Sequence, residues 1–182
     1  MAIGNDTENW ASEEFAAANL GDARLSYRLV ALARQLSTSP HTSLPQALSP
    51  AELKAAYRFF GNDQVDTDGV LAPHIAQTPH RLDQIPVVLA IQDTTEFNLT
   101  HLPATEGLGR GNGGNERGFL MHSLLAVSPE GLPLGVLGIK TSARPEGTEG
   151  SAARRKSRPI HEKESIKWIE GLAHLSALKS AL

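Results

Sequence analysis

The stretch that decides the fold runs from Pro86 to Thr95 and reads PVVLAIQDTT. Its continuous apolar run, Val87–Ile91, has the length of a β-strand and predicts a strand buried on both faces. Polar residues then follow, so we expect Asp93 just past the end of that strand. Upstream of Pro86 the patterns are helical, and we therefore expect one domain over residues 1–82 and a second over residues 83–182.

Two helices are predicted early in the chain. Trp10–Leu20 is alanine-rich with spaced apolar residues, and Gly21 should stop it by taking the left-handed conformation. Asp22 is a good N-cap for the next helix. That helix carries a single apolar stripe typical of one buried face, made of Leu25, Leu29, Leu32 and Leu36.

Two further helices are expected before residue 82. Ser49–Glu52 has the serine, first-turn proline and glutamate of a capping box and opens a helix that stops at Gly61. Asp66 or Thr67 begins another helix towards His80, which Pro73 should kink or divide. Short helices in series predict a compact helical bundle, one common way to present a helix to DNA.

Beyond the first strand, the glycine-rich stretch Gly107–Gly118 is predicted to be too flexible for a core element. Strands are expected over Phe119–Val127 and Leu132–Lys140, joined by a turn at Ser128–Gly131. Glu162–Leu182 then has a helical apolar stripe, formed by Ile166, Ile169, Leu172, Leu175, Leu178 and Leu182. The order of a strand, a hairpin and a helix after the helical region predicts an α+β protein.

Composition excludes several classes of protein. The 182 residues contain no cysteine, which rules out disulfides and thiolate zinc sites and suits a reducing cytoplasm. The polar start is unlike a signal peptide, and no apolar run approaches the roughly 20 residues that cross a bilayer, so no membrane is expected as a partner. A cytoplasmic protein is therefore predicted, associated with the nucleoid when it is bound to DNA.

A net charge of −3 argues mildly against a protein that coats DNA, so any nucleic-acid contact must come from local patches. One candidate is the pair Arg24 and Arg28, one helical turn apart. Another is the basic run of Arg154, Arg155, Lys156 and Arg158. The alternative for both patches is solvated surface.

Asp93 is the strongest candidate for chemistry, because a carboxylate at the end of a buried strand can hold Mg²⁺. From spacing alone, an Asp-Thr-Thr turn is the simpler interpretation. Glu162 and Glu164 suit the start of a helix, where negative charge is favourable. The seven histidines show no zinc-ligand spacing, and neither a serine-hydrolase elbow nor a phosphate-binding glycine loop is supported.

Four blocks, which occur in family order, make the sequence resemble the DDE transposases of the insertion-sequence-four group, the Tn-five kind. The first block is Trp10-Ala11 with Phe15, Leu20-Gly21-Asp22, Arg24 and Arg28-Leu29, and the second is Ala56-Tyr57-Arg58-Phe59-Phe60 with Asn62. The third is Leu89-Ala90-Ile91-Gln92-Asp93-Thr94-Thr95, and the fourth is Glu162-Lys163-Glu164-Ser165 with Lys167-Trp168.

The resemblance implies an N-terminal helical domain that binds double-stranded DNA at transposon ends, with contacts from Arg24, Arg28, Tyr57 and Arg58. It implies that Asp93 is the first of three catalytic carboxylates in an RNase H-like core. In that family two Mg²⁺ ions activate water or a 3′ hydroxyl for attack on a phosphodiester.

The sequence departs from the family pattern where it ends, at Leu182, inside the helix that should precede the second catalytic aspartate. We therefore expect the first part of an incomplete RNase H-like core, with one strand, a hairpin and a helix. We also expect an open sheet edge prone to association, no tight Mg²⁺ binding, and no strand cleavage by this polypeptide alone.

Three functions remain open. The first is an N-terminal fragment of a cut-and-paste transposase that binds transposon ends. The second is a non-catalytic DNA-binding or inhibitory protein that pairs with itself or with full-length transposase. The third is an interaction module unrelated to DNA.

Overall fold

The computed structural model describes residues 6–83, 85–112, 115–145 and 157–181. The chain divides into two compact units, Met1–His80 and Arg81–Leu182. The first unit is helical and the second contains an antiparallel sheet, so the predicted order of helices before strands is confirmed. The basic run is largely outside the described residues, which include only Arg158 of its four members.

Five α-helices follow one another from the start of the described chain. They are α1 (Asp6–Phe15), α2 (Ala23–Ser37), α3 (Leu44–Ala47), α4 (Pro50–Phe60) and α5 (Thr67–Leu82), whose last two residues belong to the second unit. The prediction of a helix over Trp10–Leu20 is wrong in its bounds, because α1 ends at Phe15 and the next five residues reach the core without helical structure. Gly21 does take a positive φ of 75°, as expected.

The helix starts of α2 and α4 follow their capping residues. Asp22 accepts a hydrogen bond from the backbone N–H of Arg24 at 2.9 Å and starts α2. Ser49 and Glu52 form the predicted capping box, with the Ser49 backbone N–H donating to Glu52 at 2.8 Å. Pro73 lies inside α5, which continues past it to Leu82 and is therefore not divided.

The core of the first unit confirms the apolar stripe of α2. Leu29 and Leu32 are buried, and Leu25 and Leu36 pack against them. α4 contributes the fully buried Phe59. The remaining buried residues of this core are Ala18, Leu20, Leu48 and Ala56. Because these side chains pair α2 with α4, the outward faces of the two helices are held side by side.

The second unit contains four strands: β1 (Leu89–Asn98), β2 (Gly109–Arg110), β3 (Arg117–Val127) and β4 (Pro133–Ser142). β3 is central and pairs antiparallel with β1 on one side and with β4 and β2 on the other. The β3–β4 hairpin is confirmed, and its turn has Gly131 at a φ of 90°. A 3₁₀ helix (Ile160–Glu162) and α6 (Ile166–Ala181) follow.

Two predictions about this unit are wrong, and a third is confirmed. β1 is not buried on both faces, since Leu89 and Ile91 are nearly half exposed. The glycine-rich stretch contains β2, in which Gly109 pairs with Gly118 and both are buried. The predicted final helix is confirmed from Ile166 onward; of its apolar residues, Leu175 and Leu178 pack against the sheet, whereas Ile169 and Leu172 are exposed.

The core of this unit lies between α6 and one face of the sheet. Its buried residues are Leu124, Ala126 and Leu137, with Leu82, Val88, Leu134, Leu175 and Leu178 packed against them. Gln92 and His122 also lie on this face, where Trp168 of α6 contacts the imidazole with ring centroids 4.8 Å apart. Since side chains alternate along a strand, Asp93 and its partner Ser123 point to the opposite face.

Candidate nucleic-acid interface

The outward faces of α2 and α4 together form a basic groove of about 430 Å³. Arg28 lies one helical turn after Arg24 on α2, and Arg58 lies one turn after Lys54 on α4. These four cations meet because the two helices pack on each other. The groove is lined by Asp22, Arg24, Leu25, Arg28, Ala51, Lys54, Ala55, Arg58, Phe59 and Asn62.

The local sequence explains why the cations face outward. Arg28 and Arg58 each precede a buried residue of the core, Leu29 and Phe59, and both cations are exposed. Ala51 lies one turn before Lys54 and Ala55 lies between Lys54 and Arg58, and both contribute only methyl groups to the groove. The side chains of α4 next to Lys54 in the groove are therefore small.

Three of the four predicted DNA contacts come together in this groove: Arg24, Arg28 and Arg58. The fourth, Tyr57, is on α4 with 57% of its surface exposed but does not line the groove. The sequence reasoning missed Lys54. Its signal was the four-residue spacing from Arg58, the same spacing that singled out Arg24 and Arg28.

The groove cations differ in their pairing. Arg24 forms an ion pair with Asp22, with Nη2 2.6 Å from the carboxylate Oδ2. Hydrogen bonding to Arg24 lowers the pKa of Asp22, and the same contact raises the pKa of Arg24. Arg28, Lys54 and Arg58 have no carboxylate partner in the part of the chain that the structure describes. Their positive charge is therefore available to an anionic ligand.

Asp93 is not just past the end of a strand, as predicted, but in the middle of β1, opposite Ser123. The strand continues because Thr94–Asn98 also pair with β3. Asp93 is exposed on the face of the sheet that α6 does not cover. No turn surrounds it, so the Asp-Thr-Thr turn is also wrong.

Carboxylates do not converge around Asp93. Within residues 6–83, 85–112, 115–145 and 157–181, no three histidine, aspartate or glutamate side chains are placed to hold a metal ion. Glu164 is instead bonded to Arg144 at 3.1 Å, and it lies 3.6 Å from Lys167. The described residues therefore do not assemble the three carboxylates that a site for two Mg²⁺ ions would need.

His122 on β3 contacts the side chains of the two residues that flank Asp93, Gln92 and Thr94. Its Nδ1 is 2.8 Å from Thr94 Oγ1, and its Nε2 is 3.0 Å from Gln92 Oε1. Burial lowers the pKa of His122, and Lys167 lowers it further, while the charge of Asp93 acts in the opposite direction. These contacts of His122 could not be predicted from the sequence, because an isolated histidine in a strand has no motif.

A second basic cavity, of about 770 Å³, lies in the second unit. Arg158, the described member of the basic run, lines it together with Lys163 and Lys167. Several of its cations are compensated: Arg144 contacts both Glu164 and Glu96, Lys140 is paired with Glu170, and Lys167 lies 3.6 Å from Glu164. The groove between α2 and α4 is therefore the stronger candidate for an anionic partner.

None of the described helices has the length and hydropathy needed to span a membrane. Residues 7–65, which include both helices of the basic groove, match the protein family described as Transposase DNA-binding, and this supports a transposase N-terminal region with a DNA-binding role.

Proposed function

We propose that the first unit binds the ends of a DNA transposon and belongs to a cut-and-paste transposase of the insertion-sequence-four group. The observation that carries this proposal is the convergence of Arg28, Lys54 and Arg58 in one groove within the residues that match the family. Three uncompensated cations on two adjacent helices suit the phosphates of double-stranded DNA, which dominate binding affinity.

In this proposal Arg28, Lys54 and Arg58 contact phosphates, and Arg24 and Tyr57 also lie at the DNA. Tyr57 is exposed beside Arg58, so its ring can pack on a sugar or its hydroxyl can donate to a phosphate. The negative net charge of the chain does not oppose this assignment, since the cations are concentrated in one place.

The experiment is a binding titration of the 182-residue chain with duplex DNA at several salt concentrations. Duplexes are selected from a random-sequence library, and the inverted repeats that flank the coding gene are tested beside them. We expect a logarithmic affinity that falls steeply with the logarithm of salt concentration. Affinity that is absent or insensitive to salt would favour an interaction module unrelated to DNA.

We also propose that Asp93 is the first of three metal-binding carboxylates of an RNase H-like catalytic core. Its support is its place in the middle of the first strand of the sheet, in the block that resembles the family. In that family Mg²⁺ supplies the activation of the attacking hydroxyl. Because no three metal-binding side chains come together among the described residues, we assign no catalytic step to them.

That same observation favours a second candidate, a non-catalytic DNA-binding protein that occupies transposon ends or pairs with itself or with full-length transposase. The two candidates are separated by incubating the chain with end DNA and Mg²⁺ and analysing the products for nicks. Uncut DNA supports the non-catalytic candidate. Nicking that disappears in Asp93→Asn would instead show that this polypeptide is a competent nuclease.

A further inference from the structure

Arg24 differs from the other cations of the basic groove because Asp22 holds it in place. The Arg24 Nη2 and Nε atoms lie 2.6 and 3.0 Å from Asp22 Oδ2, and Nε is also 3.2 Å from Oδ1. Asp22 is itself fixed, because its Oδ1 caps α2 by accepting the backbone N–H of Arg24 at 2.9 Å. The guanidinium is therefore oriented relative to the helix axis.

This pairing determines which donors of Arg24 face outward. A guanidinium has five N–H donors, and Asp22 takes the edge formed by Nε and Nη2. The edge formed by Nη1 and the second hydrogen of Nη2 remains, and it presents two nearly parallel donors. The Arg24 side chain is 89% exposed and has no other partner in the described part of the chain.

The charge and the geometry of Arg24 favour a base as its target, whereas the unpaired cations suit phosphates. Asp22 compensates the charge of Arg24, so the pair attracts phosphate less than Arg28, Lys54 or Arg58 does. Two parallel donors match two adjacent acceptors, and in the major groove guanine presents such acceptors at O6 and N7. Arg24 is the second residue of α2, and helices in the major groove often read bases with residues near their N-terminus.

We propose that Arg24, oriented by Asp22, reads a guanine in the major groove of the bound DNA, while the unpaired cations of the groove contact phosphates. This inference rests on the proposed DNA-binding function. It assigns sequence recognition to the compensated arginine and general affinity to the cations without a carboxylate partner.

The test compares Arg24→Lys with the unsubstituted chain. Lysine keeps the charge but lacks two parallel donors. We expect the ratio of affinities for a selected duplex and a scrambled duplex to fall roughly 5- to 100-fold. The salt dependence should stay the same, because the number of cations is unchanged. Arg34→Lys, at the far end of α2 and outside the groove, is the matched control and should change neither quantity.

A second variant, Asp22→Asn, separates orientation from charge. Asparagine caps a helix as well as aspartate does, so α2 should keep its start, which circular dichroism verifies. The released Arg24 should then bind phosphate. We expect tighter binding to scrambled DNA, a salt slope steeper by about one, and a lower ratio of selected to scrambled affinity.

The DNA side of the contact is tested with 7-deazaguanine, which lacks the N7 acceptor. It is placed at each guanine of the selected duplex in turn. One position should weaken binding by the unsubstituted chain and have no effect on Arg24→Lys. That pattern identifies the base that Arg24 reads.

The outcomes distinguish the inference from the function on which it rests. Failure of the unsubstituted chain to bind any duplex overturns the proposed function and the inference with it. Binding that prefers some sequences, with the same preference in Arg24→Lys, overturns the inference alone. Binding without any sequence preference also overturns the inference and leaves general DNA binding in place.

Discussion

The imidazole of His122 joins two strands and a helix, because its Nε2 lies 3.0 Å from Gln92 Oε1 across the β1–β3 ladder. Gln92 in turn lies against α6 at Gly171, where an added Cβ atom would be 2.3 Å from Gln92 Oε1. His122 is only 6% exposed, so both of its ring nitrogens depend on protein partners. The contact between His122 and Gln92 therefore holds β1 against β3 at the residue next to Asp93.

Gly171→Ala tests the contact between α6 and Gln92. Alanine is favoured over glycine inside a helix by about 1 kcal/mol, so a helix without this constraint would become more stable. Here we expect no gain in the free energy of unfolding, because the new methyl group displaces the Gln92 amide from His122. In a Gln92→Ala background the same substitution should stabilise the protein. Denaturant unfolding of the four proteins gives the coupling, and its absence would contradict the prediction.

The stability of the second unit should depend on pH through His122. Burial and Lys167 lower its pKa below the ordinary value of 6.5, so the unfolded chain binds the proton more readily than the folded one. The free energy of unfolding should therefore fall as pH decreases below about 6.5. His122→Gln should lose part of this dependence. Equal slopes of stability against pH in the two proteins would argue against a neutral buried imidazole.

Gly118→Ala should destabilise the sheet by about 2–3 kcal/mol. A Cβ atom at Gly118 would lie 1.8 Å from the backbone oxygen of Phe97, and backbone in a paired strand cannot move aside easily. The control is Gly138→Ala in β4, where the nearest atoms of His174 are 3.7 Å away. The midpoint temperature of thermal unfolding should decrease strongly in Gly118→Ala and change little in Gly138→Ala.

Lys54→Ala should weaken DNA binding equally for selected and scrambled duplexes. Lys54 lines the groove without a carboxylate partner among the described residues, so it fits a phosphate contact. We expect the slope of logarithmic affinity against logarithmic salt concentration to decrease by about one. Arg34→Ala removes the same charge from α2 outside the groove and should leave the slope unchanged. A change in sequence preference would instead place Lys54 at a base.

Local sequence signals predicted the elements that depend on few residues. The Asp22 cap, the capping box at Ser49 and the turn at Gly131 all form as expected, because each is determined by hydrogen bonds within four or five residues. The one-turn spacing singled out Arg24 and Arg28, and the family resemblance added Arg58 as a DNA contact. The presence of Lys54 in the same groove depends on the packing of α2 on α4, and residue spacing alone does not predict that packing.

The errors in the second unit have a common physical origin. The apolar run around Leu89 and Ile91 predicts burial, but burial also requires a layer on that face of the sheet, and α6 covers the other face. The polar residues from Gln92 onward predict the end of strand pairing, and this places Asp93 past the end of its strand. The ladder with β3 continues through them to Asn98, since backbone hydrogen bonds do not depend on side-chain polarity.

The position of β1 in the sheet gives Asp93 a significance that is independent of metal chemistry. β3 is the only described strand that pairs with β1, and Asp93 is the first ionisable residue along β1, after the exposed Leu89 and Ile91. A negative charge at such a position opposes the pairing of β1 in one molecule with a strand of another molecule. Replacing Asp93 with asparagine would remove this electrostatic repulsion between molecules. Any assay in which Asp93 is neutralised must therefore include light scattering to detect association.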